Sequence, residues 1–220
     1  MNIIDWLLKL LNGEIFASWS GKFGKTRQLK SEEFVMIKKE NNKTKVVEFE
    51  IKKENSKSWN YIVLHHSLTK DGEVKDSDSI KKWHTGQTGS FNPSDKNYNP
   101  YVANPMRDIG YHYIIEKVNN KLEIVEGRPL SMTGGHAKGF NGDNLKFMGI
   151  GICVVGNFDR EEPNREIYEK VAFLCKYLMI AFNITVDHII GHRDTYRLLN
   201  KPVEKSCPGT LFNLERLRNI

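Results

Sequence analysis

The chain has 220 residues, of which 39% are hydrophobic and 10% aromatic, and it carries a net charge of +6. That length holds one ordinary domain plus an appendage, and the composition excludes wholesale disorder. Three cysteines are too few for a disulfide framework at this size. No apolar run reaches the ~18 residues of a membrane-spanning helix.

The charge is unevenly placed. Residues 1 to 58 hold 12 Lys/Arg and 8 Asp/Glu, so four of the six net positive charges lie there. A basic surface suits polyanions such as nucleic acid, anionic lipid or acidic wall polymers, and it also serves plain solubility.

At the start, Ile3, Ile4, Leu7, Leu8, Leu10 and Leu11 gather on one side of a helix of period 3.6, and Gly13 would end it. A helix so short needs something to bury its apolar side: the rest of the protein, a membrane surface or another molecule. Asp5 and Lys9 interrupt the apolar opening and no charged region precedes it, a poor fit to a secretory signal. The protein is therefore expected to be made in the cytoplasm, with its route to the outside left open. Residues 21 to 30 carry Lys22, Lys25, Arg27 and Lys30 without an acid and read as a solvated loop.

Phe34 to Lys39 and Lys45 to Lys52 read as two strands of a hairpin. Val47, Phe49 and Ile51 alternate with Glu48, Glu50 and Lys52, the period-two pattern of a half-buried strand. A polar linker, residues 53 to 58, follows. The division is thus an N-terminal appendage over 1–58, made of a helix, a basic loop and a hairpin, and a main domain over 59–220.

In the main domain Tyr61 to His65 is a strand, and Asp76 or Ser77 caps a short helix running to His84. The Asn-, Pro- and Gly-rich stretch from Gly86 to Pro105 is a long loop, a kind that usually serves function or moves. Tyr111 to Val118 and Leu122 to Glu126 make a hairpin across Asn119, Asn120 and Lys121. Phe147 to Val155 is almost wholly apolar, which places it at the centre of a sheet. Apolar positions 167, 171, 174, 178 and 181 mark an amphipathic helix from Asn164 to Phe182, entered through Pro163. A short strand ends at Ile190, and Leu211 to Leu217 suggests a last helix. The fold class is α/β: a single mixed β-sheet flanked by helices, with a small N-terminal helix-plus-hairpin appendage.

Three residues far apart in the chain stand out. His65 closes a strand, His192 follows one, and Cys207 lies in the turn Lys205-Ser206-Cys207-Pro208-Gly209. Two imidazoles and a thiolate suit a tetrahedral zinc site with its fourth position left for water, the pattern of a catalytic rather than a structural site. Spacing alone does not settle this, since lone His and Cys residues are usually structural.

The surrounding text is more specific. Ile62 to Thr69 (Ile-Val-Leu-His-His-Ser-Leu-Thr), Gly110 to Ile115, Gly135 to Asn141, Gly149 to Gly156, and Gly191-His192-Arg193-Asp194 with Lys205 to Gly209 occur in this order. Together they resemble the zinc-dependent N-acetylmuramoyl-L-alanine amidases of the type-2 amidase and peptidoglycan recognition protein family, above all the small phage lysozyme-amidases. The resemblance covers residues 59 to 220; none is evident for 1 to 58.

The resemblance implies one zinc ion held by His65, His192 and Cys207. His66 would face away, because neighbouring strand residues point to opposite faces. Tyr111 and Lys205 take the places of a catalytic tyrosine and a catalytic lysine. His136 matches a histidine near the substrate groove of relatives, where it would bind glycan or stem peptide. Arg193 and Asp194 would hold the His192 loop, while His84, His112 and His188 read as structural. Glu116 and Glu126 are candidates for the acid that protonates the leaving amine.

The implied reaction is cleavage of the amide between the lactyl group of N-acetylmuramic acid and L-alanine, in a phage or prophage endolysin or a bacterial autolysin. The implied partner is peptidoglycan or a muropeptide, and the site of action is the bacterial cell wall. The basic N-terminal segment suggests contact with an anionic wall or membrane surface, and no nucleic-acid partner is expected. The competing expectation is a peptidoglycan-binding recognition protein without catalysis.

Overall fold

The computed structural model describes residues 35–40, 43–48, 58–69, 76–142 and 145–218. The expected N-terminal helix and basic loop lie outside the described residues.

The strands are β1 (Val35–Glu40), β2 (Lys43–Glu48), β3 (Tyr61–His66), β4 (Tyr113–Val118), β5 (Lys121–Glu126), β6 (Gly149–Val154) and β7 (Ile189–Gly191). The helices are α1 (Ser77–His84), α2 (Arg165–Phe182), α3 (His192–Leu198) and α4 (Glu215–Arg218). All seven strands form one mixed sheet in the order β2-β1-β5-β4-β6-β3-β7. β6 runs parallel to both β3 and β4, and β7 runs parallel to β3. The hairpin of β1 and β2 joins the sheet through a short parallel pairing of β1 with β5, and its Met36 is buried in the same core as the main domain.

Local chemistry explains most boundaries. Asn119 and Asn120 both adopt positive φ between the antiparallel β4 and β5, the geometry of a two-residue hairpin turn that favours Asn. The Asp76 carboxylate accepts the Ser79 amide at the start of α1, and the Asn164 side chain accepts the Ile167 amide at the start of α2. α2 ends at Asn183, which adopts the left-handed conformation common just past helix ends.

Two helices differ from expectation. The last starts only at Glu215 (Glu215–Arg218), where the Asn213 side chain accepts the Glu215 amide; before it, the Leu211 amide binds the Phe158 carbonyl and the Asn213 amide binds the Tyr168 hydroxyl. Conversely, His192 does not lie in a loop past its strand but opens α3, where the Asp194 carboxylate accepts the Gly191 amide.

Alternation along β3 divides the molecule into two layers. Ile62 and Leu64, with Ile150, Ile152, Tyr113, Ile115 and Ile124, pack against Val171, Leu174, Cys175 and Leu178 of α2. Each fully buried aliphatic side chain there contributes roughly 1.5–3 kcal/mol. Tyr61, Val63 and His65 point the other way, towards Ala137, Phe140 and Ile190. That second face is covered by loops rather than by a long helix, and it carries the candidate site.

Candidate metal and active site

The sheet places His65 opposite Cys153 of β6, and both side chains point to the loop-covered face. His66, one residue on, points to the α2 side. There its Nδ1 accepts the Phe158 amide and its ring stacks on Phe158. α3 then brings His192 over His65, with ring centroids 4.7 Å apart.

Cys207 arrives from a loop that is clamped on both sides. Arg193 donates to the carbonyls of Ser206 (2.9 Å) and Gly209 (2.7 Å), and its own amide binds the Cys207 carbonyl. Asp159 accepts the Ser206 hydroxyl (2.6 Å) and the Thr210 amide (2.8 Å). Gly209, at φ +116°, lies so close to Phe158 that a Cβ would sit 2.5 Å from its backbone carbonyl.

One ligand atom each from His65, His192 and Cys207 falls within 4.8 Å of the others, and all three residues are buried. The Cys207 Sγ stands 3.6 Å from His65 Nδ1. For zinc, Zn–N of about 2.0 Å and Zn–S of about 2.3 Å at a tetrahedral angle put N and S about 3.5 Å apart. The donor set and its spacing therefore fit zinc.

The electrostatics agree with a cation site. Burial, reinforced by the neighbouring His192, His136 and Lys205, holds His65 well below the usual histidine range. Burial and then Lys205 bring His192 down to about 4. Both imidazoles are thus neutral, as ligands must be. Burial pushes the Cys207 thiol up to about 12, partly opposed by the His66 amide, Lys205 and Arg193. A divalent cation is the partner that would make it a thiolate.

Tyr111 lies in the segment entering β4, its ring 5.0 Å from that of His65. Burial raises its phenol well above the ordinary value, and its hydroxyl meets the Cys153 thiol. Its phenol therefore keeps its proton at neutral pH and can donate a hydrogen bond. Lys205 is exposed at the rim, and its charge acts on His65, His192 and Cys207 alike.

His136 is placed otherwise than a groove contact would be. It is 7% exposed, with Nδ1 3.0 Å from His65 Nε2 and Nε2 3.0 Å from the Gly149 carbonyl. Both ring nitrogens are occupied within the protein, so it supports His65 from behind.

A scan against family models matches residues 55–210 to the model described as N-acetylmuramoyl-L-alanine amidase. The chain belongs to this amidase family. Among solved structures, the N-acetylmuramoyl-L-alanine amidase endolysin LysCS from Clostridium intestinale is 26% identical, with a TM-score of 0.51, over 74% of this chain and 83% of that one. An AmpD structure at 22% identity and a TM-score of 0.51, over 75% of this chain and 85% of that one, shares the fold. Peptidoglycan-recognition protein SD of Drosophila simulans is 32% identical over 87 residues, 39% of this chain. That match spans 42% of the curated relative's length.

The remaining residues of this amidase-family site have structural placements. Glu126 pairs with Tyr113 and so lies on the α2 side of the sheet, away from His65. The buried Glu116 carboxylate accepts the amide and hydroxyl of Ser77 at the start of α1. His84 Nδ1 accepts the Gly110 amide and its ring packs between Tyr101 and Tyr111. His112 Nδ1 accepts the Gly151 amide, and the His188 ring stacks on Tyr61.

The 86–105 loop is held by Asn99, fully buried, which donates to the Trp83 and Thr88 carbonyls and accepts the Tyr101 amide. Beside Gly135 an open cleft of about 500 Å³ is lined by Met106, Arg107, Arg128 and Met132, among others.

Sequence reasoning missed the supporting residues, chiefly the buried Asn141 and the half-buried Asp159. It also missed the meaning of Gly149 and Gly151. Glycines inside an apolar strand mark a close approach, and a Cβ on Gly151 would lie 2.4 Å from the His136 ring.

Proposed function

We propose that this chain is a zinc-dependent peptidoglycan hydrolase that cleaves the amide between the lactyl group of N-acetylmuramic acid and the L-alanine of the stem peptide. The carrying observation is the convergence of His65, His192 and Cys207 at the spacing of a tetrahedral metal site. When bound, the ion would supply Lewis-acid chemistry, acidifying a water and polarising the scissile carbonyl.

The chain's own residues do the rest. His65, His192 and Cys207 hold the ion. Tyr111, protonated and beside His65, donates a hydrogen bond to the oxyanion or orients the attacking water. Lys205, at the rim, adds positive charge where the oxyanion develops. The cleft beside Gly135 and the ordered 86–105 loop offer walls for a glycan carrying a peptide.

Zinc analysis of the purified protein, together with release of free amino groups from purified peptidoglycan, tests this reading. One zinc per chain with amine release supports it. Binding of peptidoglycan without amine release would instead make the chain a recognition protein.

The place of action is the bacterial cell wall, as an endolysin or autolysin. The cationic residues Lys22, Lys25, Arg27 and Lys30 help hold the enzyme on anionic wall or membrane. Replacing these four by glutamine should weaken binding to cells at low salt; unchanged binding would remove that role.

A further inference from the structure

We propose that His136 is a positioning residue that fixes the tautomer of His65, so that only the Nδ1 lone pair of His65 faces Cys207 and His192. The inference rests on the metal-site reading above and adds to it a reason why His65 presents the correct nitrogen.

The assignment follows from one fixed group. The Gly149 carbonyl can only accept a hydrogen bond, and it lies 3.0 Å from His136 Nε2. His136 must therefore carry its proton on Nε2, which leaves Nδ1 as an acceptor in the neutral ring. That Nδ1 is 3.0 Å from His65 Nε2, so His65 in turn carries its proton on Nε2 and keeps a lone pair on Nδ1. His65 Nδ1 is the atom 3.6 Å from the Cys207 sulfur. Proton positions thus run in one direction, from a backbone carbonyl to the metal-facing nitrogen. An acceptor behind a ligating imidazole sets both its tautomer and its ring orientation.

The surroundings are built to hold this ring. Gly151 leaves a slot on β6, where any Cβ would lie within 2.4–2.8 Å of three His136 ring atoms. Gly134 likewise leaves room between His136 and His112. Asn141 locks the acceptor itself: its Oδ1 accepts the Gly149 amide at 2.7 Å, and its Nδ2 donates to the Gly149 and Gly134 carbonyls at 3.1 Å each. Its contact with His136 Nε2, at 3.1 Å, places two donors side by side around the shared Gly149 oxygen.

The test uses the full chain and two readouts. In the metal-free protein, long-range proton–nitrogen NMR of the imidazoles should show His65 and His136 each protonated on Nε2. Zinc affinity, from competition with a chromophoric chelator, should fall about 10- to 100-fold in His136→Leu, which fills the slot but offers no acceptor. His136→Asn, whose side-chain oxygen can stand near the Nδ1 position, should recover most of that loss. A thermal melt run alongside separates misfolding from mispositioning.

Protonation of His65 on Nδ1 in the parent protein would overturn the proposal. So would a His136→Leu chain that folds, binds zinc as tightly as the parent and keeps His65 protonated on Nε2. A parent chain that binds no zinc would fail the metal reading alone, and the NMR assignment would still decide the relay.

Discussion

The Cys207 sulfur and His65 Nδ1 lie 3.6 Å apart although 142 residues separate them in the chain. The contact joins the end of β3 to a turn held by Arg193 and Asp159, so the site is only as well formed as that turn. Zinc content and wall hydrolysis should therefore fall together. In Cys207→Ala or His192→Ala, bound zinc measured by atomic spectroscopy should drop below a tenth of the parent value and amine release from peptidoglycan should vanish. Undiminished zinc and near-normal activity in either variant would refute the ligand set.

Tyr111 should separate binding from chemistry. Its ring stands beside that of His65, and its phenol stays protonated. Tyr111→Phe should keep zinc and the fold while lowering kcat about 100- to 1000-fold, the usual loss for one oxyanion donor. Equal losses of zinc and kcat would make the tyrosine a structural support instead.

Acid should weaken the metal-free protein through histidines buried as neutral rings. Burial lowers both His84 and His112 to about 4, against ~6.5 in the unfolded chain. Between those values the unfolded state binds more protons than the folded state, so stability rises with pH. The contribution is fully present above pH ~6.5 and is lost as pH falls through about 4, on the order of 1 kcal/mol or more per histidine. Melting temperature measured from pH 7.5 to 4 in the presence of chelator should fall most steeply below pH ~6.5, whereas a flat profile would mean that these rings are not buried neutral.

Gly209 should tolerate no side chain. Its φ is +116°, and a Cβ would lie 2.5 Å from the carbonyl carbon and oxygen of Phe158. Gly209→Ala should cost about 1–3 kcal/mol in denaturant unfolding. It should also reduce zinc affinity, because the displaced turn carries Cys207. A variant as stable as the parent would show that this close approach is relaxed in solution.

Much of this was legible in the order of residues. The amphipathic period of 164–182, the apolar run through 147–155 and the Asn119-Asn120 turn are local signals, and each maps onto an element of the fold. Alternation along β3 allowed only one of His65 and His66 to face the site, and the resemblance to the amidases picked His65. The helix that begins at His192 was hidden, since its capping carboxylate, Asp194, lies inside a segment that otherwise reads as a loop. The joining of the β1–β2 hairpin to β5 was equally invisible, because pairing Met36 with Ile124, 88 positions apart, leaves no periodic trace.

Sequence alone determined the period of each element and the kinds of donor available, because those depend on side chains a few positions apart. The three-dimensional arrangement decided which donors meet. His136 has the same imidazole as the metal-facing histidines, yet Gly151 gives it a slot behind His65 and the Gly149 carbonyl claims its proton. Whether an imidazole grips an ion or steadies its neighbour is set by the few ångströms around each nitrogen, and those distances exist only once the chain has folded.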